Sequence, residues 1–316
     1  MKIEQVQLSW NEDLPVFLSG DYLRATGEHF GWLGGFRDGE LRWVIPFTRK
    51  RRFGFGLVQF QFHGICLGKD PVPTEEKEFL ESALSFLKAN GHDFVLQSPA
   101  YGFFTACPDR AVAIPFGTYY LDLAPDEKDL WAGLHTNHRK NVKQALKKGV
   151  MVSTGREHLP AVYDLIAGTL GSGNLHIPTF EDLDRKLEHL GSHAEVFTAF
   201  GTDGKAEGCV ISFFSRPCAY GIYSAGKATY PFWKAILYFR ERGVKRFDFV
   251  GARVNPDEGS KIAGIQRFKS GFGSDMETGY IWKAYLSPRA HALKLAKYLY
   301  GPDIIDQELG RKAPGP

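Results

Sequence analysis

The sequence GWLGGFRDGELRWVIPF at residues 31–47 decides the fold, because a second stretch, VFTAFGTDGKAEGCVISFF at residues 196–214, has the same layout. In each stretch two β-rich apolar runs flank an Asp-Gly pair, Asp38-Gly39 in the first and Asp203-Gly204 in the second. Asp-Gly pairs tolerate the positive φ angles of tight turns, so each stretch predicts a β-hairpin.

The two hairpins are predicted to have the same neighbours along the chain. In the first half these are a helical region at 11–26, a strand at 57–62, a helix over Thr74–Asn90 and a strand over Asp93–Gln97. In the second half they are a helical region at 157–190, a strand at 218–224, a helix over Pro231–Arg242 and a strand over Arg246–Val250. The order helix, hairpin, strand, helix, strand therefore occurs twice, which predicts a tandem duplication of a mixed α+β unit.

The boundary between the copies is predicted near Pro115–Thr118. We expect a first domain over 1–118, a second domain over 119–300 and a frayed tail over 301–316. One long helix, from about Asp126 to Lys148, is expected to join the halves and to end at the cap glycine Gly149. A further helix, Pro288–Leu299, is expected to close the second domain or to fold back on the first.

Composition limits the functional classes. The chain has 316 residues, 43% apolar and 24% charged, which is typical of a globular protein of two domains. Its formal net charge is 39 − 36 = +3. Neither a secretory signal nor a stretch of about 18 apolar residues is found, so a cytoplasmic protein without a membrane span is expected. The cysteines form no CxxC pair, and the histidines lack carboxylate or thiol partners at ligand spacing, so no metal site is expected.

The basic residues are concentrated in two runs. Within ten residues that contain no acid, the second half carries Arg139, Lys140, Lys143, Lys147 and Lys148. On a helix Arg139, Lys143 and Lys147 share one face. The other run is residues 49–52, with the sequence RKRR. Two interpretations are about equally supported: the runs bind phosphate, of RNA or of a nucleotide-linked substrate, or they are merely a solvated surface.

One motif is similar to a coenzyme A site but stands in the wrong context. Residues 51–56, RRFGFG, fit the R-x-x-G-x-G pattern that cradles the coenzyme A pyrophosphate in N-acetyltransferases. That pattern acts where a strand enters it and a helix leaves it. Here the next residues, 57–62, alternate like a strand, so a turn between two strands is expected.

Two segments of the second half resemble the Fem-type peptidoglycan aminoacyltransferases. Residues 138–150, HRKNVKQALKKGV, resemble the interdomain helix signature of that family, and residues 264–273, GIQRFKSGFG, resemble its final Phe-Lys…Phe-Gly motif. Tyr223-Ser224-Ala225, the helix from Pro231 and the sequence KRFDF at 245–249 lie between them in the expected order. The resemblance implies two GNAT-like domains in tandem, in agreement with the repeat.

The resemblance also implies a reaction and residues for it. An amino acid passes from aminoacyl-tRNA to an amine of a nucleotide-linked or lipid-linked envelope precursor, without a cofactor. Lys269 is then the cation beside the developing oxyanion and Phe268 is its neighbour in the pocket. Tyr223, Ser224 and Arg24 are assigned to substrate binding, and Arg139, Lys140, Lys143 and Lys147 to phosphates.

The chain departs from the family at two positions, and two other functions stay open. Ser172 stands near the position of a phosphate-holding arginine, and Ser98-Pro99 replaces an acid–proline pair. The first alternative is an N-acyltransferase that uses acyl-CoA on a polysaccharide or small-molecule amine. The second is a non-catalytic RNA-binding protein on the same duplicated scaffold.

Overall fold

The structure is a computed structural model that describes residues 1–68, 73–171, 177–292 and 303–312. Its strands are β1 (Lys2–Val6), β2 (His29–Arg37), β3 (Glu40–Arg52), β4 (Phe55–Phe60), β5 (Ile65–Cys66), β6 (Phe94–Leu96), β7 (Val112–Asp122), β8 (Met151–Thr154), β9 (Ala194–Phe200), β10 (Ala206–Ser215), β11 (Cys218–Gly226), β12 (Arg246–Asp248), β13 (Ala252–Arg253) and β14 (Asp275–Tyr285). Its α-helices are α1 (Gly20–Thr26), α2 (Pro73–Ala89), α3 (Glu127–Gly133), α4 (Thr136–Lys147), α5 (Leu159–Gly171), α6 (Phe180–Leu190), α7 (Thr229–Glu241), α8 (Lys261–Ser270), α9 (Pro288–Ala292) and α10 (Ile304–Lys312).

The chain divides into two compact units. The first contains residues 1–10, 17–117 and the described part of 278–316, and the second contains residues 11–16 and 118–277. This division differs from the predicted domains 1–118 and 119–300 and the tail 301–316, because the end of the chain belongs to the first unit. There β14 pairs with β6, and the Lys283 ammonium is bound by carboxylates of Asp303, at 2.6 Å, and Asp306, at 2.7 Å.

The first unit is built on a sheet in the order β1-β2-β3-β4-β6-β14. All neighbours are antiparallel except β4 and β6. The β2–β3 hairpin turns at Asp38-Gly39, where φ is +53° and +82°, as the Asp-Gly pair predicted. The apolar face of α2, with Phe79 and Leu80 fully buried, packs in one core cluster with Trp43 of β3.

The second unit repeats this plan. Its sheet runs in the order β7-β12-β11-β10-β9-β8; β11 and β12 are parallel, and the other neighbours in this order are antiparallel. Trp233, Ile236 and Phe239 of α7 are buried against it in a core rich in phenylalanine. Both units thus contain a hairpin, then a strand, a helix and a second strand that runs parallel to the strand before the helix. The predicted duplication of a mixed α+β unit is confirmed.

The long helix predicted over Asp126–Lys148 is wrong as a single element. It is divided into α3 and α4 at Leu134, whose ψ of 137° is extended. His135 then begins α4, because its Nδ1 accepts the N–H of Asn137 at 3.2 Å. The expected end is confirmed, since Gly149 has a left-handed φ of +71° after the last turn.

Three other predictions about the chain are tested by the structure. Residues 49–52 form the end of β3, and residues 53–54 make the turn into β4, as expected for a turn between strands. Residues 304–312 of the predicted frayed tail form α10. Of the helix predicted over Pro288–Leu299, the structure describes only α9.

Two features are absent from the described residues. None of their helices has the length and apolar character needed to cross a bilayer. No two of the four cysteines form a disulfide; Cys209 and Cys218 are buried, and Cys66 and Cys107 are half-buried.

Candidate functional site

Lys269 lies in the last turn of α8. The helix begins where the Ser260 hydroxyl accepts the N–H of Ala263 at 3.1 Å, and it ends at Gly271. Chain reversal after it depends on Gly273, whose φ is +79° and whose Cβ would lie 3.0 Å from the Gly133 carbonyl oxygen. The half-buried Lys269 ammonium donates hydrogen bonds to the carbonyl oxygens of Val250 and, at 2.6 Å, Gly251.

The two carbonyls belong to an unusual turn that follows β12. Val250 and Gly251 have φ angles of +44° and +55°. A β-branched residue rarely adopts a positive φ, and such strain is typical of functional sites. Asp248 maintains the turn, because its Oδ1 accepts the Val250 N–H at 2.7 Å and the Thr118 hydroxyl. The turn therefore presents successive main-chain oxygens to Lys269.

Burial shifts the ionisation of both charged groups toward their neutral forms. Burial raises the pKa of the inaccessible Asp248 to about 6, against the opposing effects of its hydrogen bonds and of Lys269. Burial also lowers the pKa of Lys269 to about 8, which Asp248 partly opposes. Among the described residues, Asp248 Oδ2 has no hydrogen-bond partner. Strongly shifted groups that interact electrostatically are characteristic of catalytic sites.

We expect Asp248→Asn to change how stability depends on pH. The native state binds the Asp248 proton more tightly than the unfolded chain does, so this contribution to stability is present below about pH 4 and is lost as pH rises through about 6. The loss is on the order of 3 kcal/mol. Asparagine does not titrate, so the variant should gain stability relative to the parent between pH 4.5 and 7 in urea unfolding. Parallel pH profiles for both proteins would refute the assignment of a buried, proton-binding carboxyl.

The lysine helix α8 is joined to the basic helix α4 by direct hydrogen bonds. The His135 N–H donates to the Gly271 oxygen at 2.7 Å, and the His138 ring nitrogen Nε2 lies 2.8 Å from the Phe268 oxygen. The Phe268 ring packs 5.1 Å from the His138 ring, and a Cβ on Gly271 would meet that ring at 2.8 Å. The two segments that resemble the Fem family are thus in contact.

The α4 surface is strongly basic. Lys140, Lys143 and Lys147 are exposed, and no described carboxylate lies within 4 Å of their ammonium groups. Arg139 differs, because its guanidinium turns back to the main-chain oxygens of Ala132, at 2.9 Å, and Leu134. Three of the four residues predicted to bind phosphate are therefore free to do so, while Arg139 is engaged in the α3–α4 junction.

The residues predicted to bind substrate are less clearly grouped. Tyr223 and Ser224 are half-buried in β11, beyond the short stretch, Cys218–Tyr220, over which β11 pairs with β12. Arg24 lies on α1 of the first unit, where its exposed guanidinium pairs with Asp21 at 2.9 Å. Ser172 is outside the described residues. The Ser98 hydroxyl is buried and donates to the Gly102 oxygen.

Sequence reasoning missed Asp248, Thr118 and the Val250-Gly251 turn. One signal was available: Asp248 is a carboxylate between two phenylalanines of an otherwise buried strand, where an acid needs a specific partner.

Among the described residues there is no group of three metal-binding side chains.

Known structures share this fold. FemX is 14% identical, with a TM-score of 0.64 over 87% of this chain and 92% of its own. The C-terminal domain of a protein assigned as a lysylphosphatidylglycerol synthetase from Agrobacterium fabrum is 13% identical, with a TM-score of 0.53 over 88% and 90%. L-PGS from Bacillus licheniformis is 13% identical, with a TM-score of 0.50 over 89% and 91%.

No protein-family model and no curated protein sequence matches the chain. At these identities the structural similarity shows a common fold. The predicted α+β fold, a mixed sheet flanked by helices that occurs twice in tandem, is confirmed, and FemX shares it.

Proposed function

We propose that this chain is an acyltransferase that moves an aminoacyl group from aminoacyl-tRNA to an amine of a peptidoglycan precursor or a related envelope molecule. The observation that carries the proposal is the Lys269 ammonium, which two main-chain oxygens hold at a strained turn and which interacts electrostatically with the buried Asp248 carboxyl. The FemX-like fold and the Fem-like motifs support the same reaction class.

The geometry suits stabilisation of an oxyanion. An ammonium has three N–H donors, and two of those of Lys269 go to Val250 and Gly251. The carbonyls fix the direction of the third donor without neutralising the charge. With a pKa of about 8, Lys269 is mainly protonated at neutral pH. A cation already oriented toward developing charge lowers the barrier to acyl transfer.

The reaction balances with the donor and acceptor alone. The acceptor amine attacks the ester carbonyl of the aminoacyl-tRNA, a C–N bond forms, and the carbonyl oxygen becomes an oxyanion beside Lys269. As the carbonyl re-forms, the C–O bond to the ribose breaks. The amine loses one proton and the departing ribose oxygen gains one, so the products are an amide and free tRNA.

The surface next to the lysine supports RNA as the carrier of the acyl group. The α4 lysines Lys140, Lys143 and Lys147 lack carboxylate partners among the described residues, and unpaired lysines on one helix face are suited to backbone phosphates. The R-x-x-G-x-G sequence gives the acyl-CoA alternative no support, since it forms the β3–β4 turn rather than a strand-to-helix cradle.

The proposal is tested by the product that forms. The protein is incubated with a pool of charged tRNA and an amine-bearing, nucleotide-linked peptidoglycan precursor, and the products are analysed by mass spectrometry. We expect the mass of one added aminoacyl residue, and none when the acceptor amine has been acetylated beforehand. Binding of tRNA without any new amide would instead favour the non-catalytic RNA-binding alternative.

A further inference from the structure

The first unit contains a basic cleft of about 400 Å³ that is separate from Lys269. It lies where the end of β3, the start of β4 and the loop after α2 meet. Its cations are Arg49, Lys50 and Arg51, and its other polar side chains are the imidazoles of His29 and His92 and the amide of Asn90.

A glycine allows the cleft to form. A Cβ on Gly56 would lie 3.0 Å from the Gly91 oxygen and 3.3 Å from His92 Nδ1, so a larger residue would displace the loop. Two hydrogen bonds hold Gly56 close to this loop, because the Asp93 N–H donates to the Gly56 oxygen at 2.8 Å and the Gly56 N–H donates to the Asp93 carboxylate at 2.9 Å. His92 is thereby held against the first residues of β4.

Strand geometry places two arginines on one side of β3. Arg49 pairs with Val58 and Arg51 with Gly56, and residues two apart in a strand lie on the same face. Both guanidinium groups are close enough to His92 to lower the pKa of its imidazole, in addition to the effect of burial. The arginines and His92 therefore converge on one space.

Among the described residues, the cations of this cleft form no ion pair with a carboxylate. No described carboxylate lies within 4 Å of the cationic groups of Arg49, Lys50 or Arg51. The nearby carboxylate of Asp93 is already bound by the Arg289 guanidinium, at 2.7 and 2.6 Å. Because like charges repel, such a cluster is better satisfied with an anion bound.

We propose that this cleft binds a phosphate or diphosphate group of a small ligand, with Arg49 and Arg51 as its main donors and His92 beside them. Buried Nδ1 of His92 has no hydrogen-bond partner among the described residues and adds a polar group to the site. The volume suits a compact anion, and small-molecule sites begin at roughly 300 Å³. This site is independent of the proposed transfer reaction.

The test is titration of the full chain with inorganic pyrophosphate at constant ionic strength, followed by calorimetry. We expect saturable binding that weakens by about 10-fold or more in the double variant Arg49→Gln/Arg51→Gln, since each substitution removes one charge-assisted hydrogen-bond pair. Arg52→Gln is the matched control: it removes a cation from the same strand that does not line the cleft, and it should change affinity less than about 2-fold.

A second measurement does not depend on the variants. In the unsubstituted protein, pyrophosphate should shift the imidazole NMR signals of His92, while those of His189, which lies on α6 of the second unit, should stay fixed. Absence of saturable binding, or binding that is equal in the parent and Arg49→Gln/Arg51→Gln, overturns the proposal. If these two substitutions weaken tRNA binding and leave pyrophosphate binding unchanged, the cleft is an RNA contact and the proposal is wrong.

Discussion

Lys269→Ala should reduce aminoacyl transfer by about 100- to 1000-fold, the loss found when one oxyanion-stabilising donor is removed. The reason is that the variant leaves no cation at the Val250-Gly251 turn. Stability should change little, because Val250 and Gly251 are half-buried, so that water can hydrate their carbonyl oxygens, and a partly desolvated ammonium no longer has to be accommodated. The measurement is single-turnover transfer at saturating donor, together with thermal unfolding.

Two further variants make this result specific. Lys269→Met keeps the length of the side chain without its charge and should be as inactive as the alanine variant. Lys261→Ala removes a cation from the other end of the same helix, where the side chain is exposed, and should retain nearly full activity. If Lys269→Met or Lys269→Ala transfers at the parental rate, Lys269 is not part of the transfer site.

Reversing two charges on α4 should weaken tRNA binding by about 10-fold or more at low salt. In Lys143→Glu/Lys147→Glu the exposed ammonium groups that we assign to phosphate contacts become carboxylates. The slope of log affinity against log salt should also fall by about 2, since each lost phosphate contact releases roughly one counterion fewer. Filter binding over a range of salt concentrations measures both quantities.

The control must carry the same change in net charge. Lys88→Glu/Lys245→Glu reverses two exposed lysines outside α4, at the end of α2 and after α7. Its affinity should fall less than about 3-fold, through the general field of the protein alone. Equal losses in the two double variants would mean that α4 is an ordinary solvated surface.

Much of the fold could be predicted because its signals are local. Each Asp-Gly turn and the apolar spacing of α2 and of α7 can be identified within a short stretch of sequence. Their repetition indicates a duplication. The break between α3 and α4 is not local in this sense. It depends on the capping by His135 and on the bond from its N–H to the Gly271 oxygen, which only the folded chain brings near.

The site, too, could be predicted only where its signals are local. Lys269 could be identified from its motif, but its partners come from distant parts of the sequence. Asp248 bonds Thr118 across 130 residues, and the strain at Val250 follows from that anchoring. Likewise α10 could not be predicted from its own composition, because Asp303 and Asp306 are fixed by the buried Lys283.

A competition between donors tests the central claim most directly. Charged tRNA and acetyl-CoA, carrying different radioactive labels, are offered together to the protein with the amine acceptor, and the label in the amide product is counted. We expect the label of the aminoacyl-tRNA in the product from the parent protein and almost none from Lys269→Ala. Product carrying the acetyl label, made at the same rate by both proteins, would contradict both the donor and the role of Lys269.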